Sequence, residues 1–311
     1  MQDAQVGTGR VVVGVDGSVR NLAALEWAVA EAVRRARPLH LVSVACKATT
    51  PPAPWTGDST IQYSLAETGQ MVDRLRRRFG AEVAQVTAEV PVGTPSKQLL
   101  KTLRAGDELV VGRRGVSPAE RVILGSTSIE AAGRSPVPTV IVPDDWEQPQ
   151  HVSGVVVAGV DGTERDEPVL DFGFAGASAA GTTLVVVHAW EEPPPNAWEG
   201  SHVQVWTKEA EAALVERLEP WTRRFPEVRL VCRAPAVAPG RALLDASADA
   251  QMVVLGRFAG VHHLVGFSGF STCRKVLHHA RCPVSVVPVP ADASAGTPGD
   301  LSFDETDQPE F

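Results

Sequence analysis

The chain has 311 residues, of which 44% are hydrophobic and 21% are charged, a composition typical of soluble globular proteins. Its formal net charge is −8, and six acidic residues beyond position 290 carry most of it, leaving −2 for the rest of the chain. A nearly neutral body gives no support for capture of nucleic acid, and no stretch suits a membrane span, so we expect a cytoplasmic protein with neither kind of partner.

Short apolar runs alternate with longer amphipathic stretches along the first 142 residues. Val/Ile/Leu-rich runs predict strands buried on both faces at 10–15, 39–45, 83–90, 108–112 and 138–142. Helices are predicted from Leu22 to Val33, within 64–79, after Gly93-Thr94-Pro95 and after Gly125. This alternation predicts right-handed crossovers and a doubly wound, mostly parallel sheet.

The same unit is then repeated. "VVVGVDGS" at 11–18 returns as "VVVAGVDGT" at 155–163, and "ELVVGRRG" at 108–115 returns as "QMVVLGRFAG" at 251–260. The sequence therefore predicts an α/β fold with two tandem Rossmann-like domains, residues 1–149 and 150–290, followed by an acidic disordered tail at 291–311. The apolar, proline-bounded last runs of each copy are candidate sheet edges.

Glycines and hydroxyls cluster after the fourth strand of the first copy. Parallel sheets bind ligands beyond the carboxyl ends of their strands, and the residues expected there are Asp16, Gly112, Gly115, Gly125, Ser126, Thr127 and Ser128. Glycine lets backbone N–H groups approach phosphate, a helix N-terminus attracts anions, and Arg113 and Arg114 could screen a polyphosphate. The alternatives are turn chemistry for the glycines and helix capping for Asp16.

Over nearly all of residues 8–290 the chain resembles a tandem universal stress protein. Nucleotide-binding members of that family carry Gly-x2-Gly-x9-Gly-[Ser/Thr], which Gly112, Gly115, Gly125 and Ser126 match. The resemblance implies ATP, with Mg²⁺, as the ligand and Asp16 as a contact of its adenosine part. It also implies an adenine pocket at Val15 and Val44, ribose and phosphate contacts at Val111 and Gly112, and phosphate contacts at Gly115, Gly125, Ser126, Thr127 and Ser128.

The second copy departs from that pattern. Gly256 is followed by Gly260 one residue late, and Phe270 separates Gly269 from Ser271, although Asp161 is retained. We therefore expect a weaker or altered second site formed by Asp161, Gly256, Gly269 and Ser271.

The resulting functional hypothesis is an ATP-binding regulatory protein of the stress response, with an unidentified protein partner and no catalytic residue. The alternatives are a slow ATP-hydrolysing enzyme and a nucleotide-free interaction scaffold. In the family, the last strands of two domains pair, which predicts intramolecular pairing of the two copies and leaves a further homodimer open.

Histidine and cysteine residues suggest no further chemistry. Adjacent histidines point in different directions, so no metal site is predicted at His262-His263 or His278-His279. His188 is expected to satisfy a buried hydrogen bond. The four cysteines match no zinc or redox spacing and are predicted to be reduced thiols: Cys46, Cys232, Cys273 and Cys282. Trp55 or Trp198, on matching loops, could cover a ligand.

Overall fold

A computed structural model describes residues 9–45, 57–79, 85–115, 124–147, 154–190, 201–258 and 268–290. The first half contains β1 (Val11–Val15), α1 (Leu22–Arg34), β2 (Leu39–Ser43), α2 (Gly57–Phe79), β3 (Val86–Glu89), α3 (Pro95–Thr102), β4 (Glu108–Gly112), α4 (Ser126–Arg134) and β5 (Thr139–Val142). The second half contains β6 (Val155–Gly159), α5 (Glu167–Ala180), β7 (Leu184–Val187), α6 (Ser201–Arg217), α7 (Glu219–Arg224), β8 (Leu230–Arg233), α8 (Pro239–Ala246), β9 (Ala250–Phe258), α9 (Ser268–His279) and β10 (Val284–Val289). The predicted tail at 291–311 lies outside the described residues.

All ten strands form one sheet in the order β3-β2-β1-β4-β5-β10-β9-β6-β7-β8. Within each half the neighbouring strands are parallel, in the same 3-2-1-4-5 order. This parallel arrangement confirms the predicted fold class. The unbroken valine runs form its strands, because such runs suit strands that are covered on both faces. The predicted helix within 64–79 is longer than expected, because α2 already begins at Gly57.

The two halves meet at β5 and β10, which pair antiparallel with Val140 opposite Ser285. The predicted pairing between the last strands is therefore confirmed. Because the junction is antiparallel, the carboxyl ends of the two sets of parallel strands lie at opposite edges of the sheet. Any ligand sites at those strand ends therefore lie far apart, one at each edge.

Helices cover both faces of the sheet. One core cluster packs α1, α2, α5 and α6 against one face, and the other packs α3, α4, α8 and α9 against the opposite face. Phe174 of α5 is fully buried and stacks on Phe225 with ring centroids 5.8 Å apart. Arg35, just beyond α1, reaches across the junction, with its guanidinium 5.4 Å from the ring centroid of Phe172.

A buried charged network lies at the amino ends of the first-half strands. Arg37 Nη1 donates to Glu108 Oε2 at 3.1 Å, and its Nη2 donates to the carbonyl of Gly106 at 2.7 Å. Burial, followed by the charge of nearby Glu31, raises the pKa of Glu108 to about 7. This network fixes the end of α1 against the start of β4.

Candidate functional site

Asp16 and the glycine-rich loop after β4 meet at one edge of the sheet. They are brought together because β1 and β4 are adjacent parallel strands, with Val13 opposite Val110. A Cβ atom built on Gly115 would lie 2.9 Å from Asp16 Oδ2. The sequence-predicted residues Asp16, Gly112 and Gly115 therefore share one small region of space.

The turn after β1 fixes the aspartate. Asp16 Oδ1 accepts the backbone N–H of Ser18 at 2.9 Å, and Gly17 between them has φ +75°, a left-handed conformation that favours glycine. Asp16 thus closes its own turn, while α1 begins later, after Asn21. The hydroxyl oxygen of Ser18 is buried and has no hydrogen-bond partner among the described residues. A buried polar atom of this kind is a candidate ligand contact.

Helix α4 begins beside the glycine-rich loop after β4, since a Cβ built on Gly125 would lie 3.4 Å from the carbonyl oxygen of Arg113. The N-cap residue of α4 is Gly125. Because glycine has no side chain, the backbone N–H groups of the first turn have no side-chain acceptor at the N-cap. The positive end of the helix dipole lies at the same place. Ser126 is exposed and Thr127 half-buried. These features make the start of α4 suited to an anion.

Ser128 and Gly125 hold the glycine loop in place. The Ser128 hydroxyl, which is buried, donates to the carbonyl of Gly112 at 2.7 Å, and the Gly125 N–H donates to the carbonyl of Arg113 at 2.8 Å. These two groups therefore bond to the loop itself. The amides of Ser126 and Thr127 remain as the candidate anion donors.

The same strand ends carry Val15 and Val44, predicted for an adenine pocket, and Val111, predicted to contact ribose and phosphate. Val15 and Val111 are buried, and Val44 is half-buried just beyond β2. Asn21 was not singled out from the sequence, yet its Nδ2 donates to the carbonyl of Gly14 at 3.0 Å and faces Gly112. It ties the start of α1 to the end of β1.

Both arginines of the loop have partners away from the Asp16 turn. Arg113 donates to the carbonyl of Ala280 in the second half, and Arg114 Nε donates to Asp144 Oδ2 at 2.7 Å. The suggestion that these two side chains screen a polyphosphate is therefore not supported by their positions. Arg257, the equivalent of Arg113, donates to the carbonyl of Ser135 in the first half at 2.7 Å.

The second half has a different arrangement at the matching place. Asp166, 145 residues after Asn21, accepts the N–H groups of Asp161 and Gly162 at 3.0 and 2.8 Å. Burial raises the pKa of Asp166 to about 6, although the bond from the Asp161 backbone opposes the shift. Arg217 of α6 donates to the carbonyl of Gly162 at 2.7 Å. A cavity of about 230 Å³ lies here, lined by Asp161, Asp166 and His188 among others.

The glycines predicted for the second site lie in regular structure. Gly256 lies inside β9, which continues to Phe258, so the chain does not turn there as it does after Gly112. A Cβ on Gly256 would lie 3.1 Å from a methyl group of Val169, which indicates a packing role. Gly269 and Ser271 fall in the first turn of α9. Gly260 lies outside the described residues.

The remaining sequence-based expectations concern histidine, cysteine and membrane segments. His188 Nδ1 lies 3.4 Å from the carbonyl of Val160. Cys232, Cys273 and Cys282 are free thiols. In the described ranges, no three His, Cys, Asp or Glu side chains converge as metal ligands, and no helix there could cross a bilayer. Cys46, Trp55, Trp198, His262 and His263 lie outside the described residues.

The architecture defines the chain as a tandem Rossmann-like α/β protein with an aspartate turn in each half. The universal stress protein family model matches it twice, at residues 7–143 and 154–288. The chain belongs to the universal stress protein family.

Relatives of similar length support this assignment. A universal stress protein of Mycobacterium tuberculosis is 33% identical over 289 residues, covering 89% of this chain and 96% of the relative. One from Mycolicibacterium smegmatis is 30% identical over 295 residues, with coverage of 89% and 96%. The crystal structure of a universal stress protein from Archaeoglobus fulgidus matches with a TM-score of 0.65 at 16% identity, over 89% of this chain and 98% of that one. The last likeness shows the shared fold.

Proposed function

We propose that this protein is an ATP-binding regulator of the stress response that holds Mg-ATP at the carboxyl edge of its first half. The observation that carries the proposal is the convergence of Asp16 with Gly115, where a side chain would collide with the carboxylate at 2.9 Å. Such a bare backbone beside a helix N-terminus is what phosphate recognition requires.

The residues present fit a nucleotide. The buried, unpartnered hydroxyl of Ser18 supplies a polar group, and Val15 and Val111 supply apolar surface. Asp16 Oδ2 would bind the ribose, while the amides of Ser126 and Thr127 would bind phosphate. The ligand itself would bring the negative charge that the first turn of α4 attracts. Nucleotide binding would then alter the affinity of the protein for its partner in the cytoplasm.

The second half is proposed not to bind ATP in the same way. Asp166 already accepts two backbone N–H groups of the turn, and Arg217 donates to the carbonyl of Gly162 in the same turn. Two carboxylates in a cavity of about 230 Å³ oppose a triphosphate by charge and by volume.

Calorimetric titration of purified protein with Mg-ATP tests the proposal. Asp16→Ala should weaken binding about 10- to 100-fold, as expected for loss of one or two charge-assisted hydrogen bonds. Asp161→Ala, the same change in the second half, should leave the affinity unchanged. No binding to the unmutated protein, together with no nucleotide in a heat extract, would favour the scaffold alternative. Sustained turnover near or above ~1 per second would favour an enzyme.

A further inference from the structure

A second cavity, of about 900 Å³, lies away from both strand-end sites. It runs along α1, between α2 and the end of α5, and its floor includes Met252 at the start of β9. We call it the α1 groove. Its size is within the range of small-molecule sites. It uses none of the residues assigned to the proposed nucleotide site.

The walls of the α1 groove are mainly apolar. They are formed by Leu22, Leu25, Trp27, Val29, Met71, Leu75 and Trp146. The lining residues of α1 extend from Leu22 to Arg34, which corresponds to about 18 Å of helix. The groove is therefore long enough for an extended hydrocarbon chain.

Polar side chains, with more cations than anions among them, accompany this apolar surface. Arg34, Arg74 and Arg78 contribute guanidinium groups to the lining, against the carboxylates of Glu26 and Glu31. Glu31 is already paired with Arg34 and Arg35. Gln251 also lines the groove, and its Nε2 is a buried donor with no hydrogen-bond partner among the described residues. The groove thus offers donors and positive charge to a ligand oxygen.

We propose that the α1 groove binds a long-chain carboxylate, an unbranched fatty acid. The acyl chain would lie along the apolar face of α1, and the carboxylate would pair with Arg78 and Arg74 on α2. Arginine is suited to this, because its planar fork matches the two oxygens of a carboxylate. Arg78 and Phe79 both line the groove, and the Arg78 guanidinium lies 5.0 Å from the ring centroid of Phe79, a contact that restricts where the guanidinium can lie.

The proposal predicts a dependence on chain length and on charge. Titration calorimetry with octanoate, decanoate and dodecanoate should show one site, with affinity rising about fourfold for each added buried methylene. Arg78→Glu should weaken dodecanoate binding at least about tenfold while leaving dodecanol binding within about twofold. Arg77→Glu is the matched control: Arg77 is exposed, lies one residue away and does not line the groove. It should leave both affinities within about twofold.

A steric variant tests the position of the site. Ala30→Phe adds bulk inside the groove from a half-buried position and should weaken dodecanoate and dodecanol alike. Leu65→Phe, at an exposed position of α2 outside the lining, should change neither. Thermal unfolding of each variant establishes that it is folded before the titrations are compared.

Four results would overturn the proposal. Three come from the titrations: affinity that does not change with chain length, equal losses in Arg77→Glu and Arg78→Glu, and binding that Ala30→Phe does not weaken. The fourth result comes from titrating a shortened chain that ends at Pro290. Dodecanoate binding to that shortened chain, with none to the full chain, would also overturn it, since the acidic residues beyond 290 would then be the occupant.

Discussion

Replacing Gly115 by alanine tests the proposed nucleotide site with the smallest possible change. The new Cβ would lie 2.9 Å from Asp16 Oδ2, closer than real Cβ contacts, so the carboxylate must move. The atom that moves is the end of a side chain, so the fold should be retained. The expected loss is therefore in the affinity for the ligand that Asp16 binds.

The magnitude follows from that displaced carboxylate. Hydrogen bonds to a charged group contribute about 1.5–3 kcal/mol each, so loss of one should raise the Kd for Mg-ATP about 10- to 150-fold. Titration calorimetry measures this change, and urea unfolding should show that the free energy of unfolding is little altered.

Gly133→Ala is the matched control. Gly133 lies in α4, and apart from its chain neighbours and the backbone of its own helix, a Cβ there would have no atom within 4 Å. Alanine is also favoured over glycine in helices by about 1 kcal/mol, so this variant should be slightly more stable and bind Mg-ATP normally. Equal Kd values for Gly115→Ala and the unmutated protein would refute the assignment of Asp16 and the glycine loop to one nucleotide site.

Three further predictions concern stability. Phe174→Ala should lower the free energy of unfolding by about 3–5 kcal/mol in urea titrations, because it empties a fully buried position stacked on Phe225; a loss below about 1 kcal/mol would contradict the described packing. Arg257→Ala should lower the free energy of unfolding by about 1–3 kcal/mol, because it leaves the Ser135 carbonyl without its partner across the junction. Arg223→Ala, which breaks an exposed ion pair on α7, should lower it by less than about 1 kcal/mol. The pKa of Glu108 is raised from 4.5 to about 7, so the contribution of its protonated carboxyl to stability is present in full below pH 4.5 and is lost as the pH rises through 7. The free energy of unfolding, measured relative to Glu108→Gln, should therefore fall between pH 5 and 8. A pH-independent difference between the two proteins would contradict the raised pKa.

Much of the fold follows from local patterns in the sequence. The runs "VVVGV" and "ELVVG" became β1 and β4 because apolar β-branched residues suit covered strands, and Pro95 begins α3 as its fixed φ allows. The long α2 was shortened in the prediction because residues 57–63 carry little helical periodicity. The length of a surface helix depends on packing that short-range patterns do not record.

The candidate site was only partly predictable, because side-chain partners depend on distant parts of the chain. The spacing of Gly112, Gly115 and Gly125 located the loop, and adjacency of the first and fourth strands accounts for the nearness of Asp16. The partners of Arg113 could not be predicted, since Ala280 is 167 residues away. Aligning the two repeats shows that Asp166 stands where the first half has Asn21. The hydrogen bonds that Asp166 accepts from two backbone N–H groups could not be predicted, because they depend on the conformation of the folded turn.

The reciprocal bonds of Arg113 and Arg257 repeat inside one chain a contact typical of a twofold-symmetric dimer. In a homodimer, every substitution appears in both subunits, so the two sites must change together. Here Arg113 of the first half bonds to the end of α9, and Arg257 of the second half bonds to the end of α4. The sequences of the two halves can nevertheless vary independently. A single polypeptide can therefore keep a neutral Asn21 at one edge of the sheet and carry an acidic Asp166 at the other, giving two unlike sites a common rigid support.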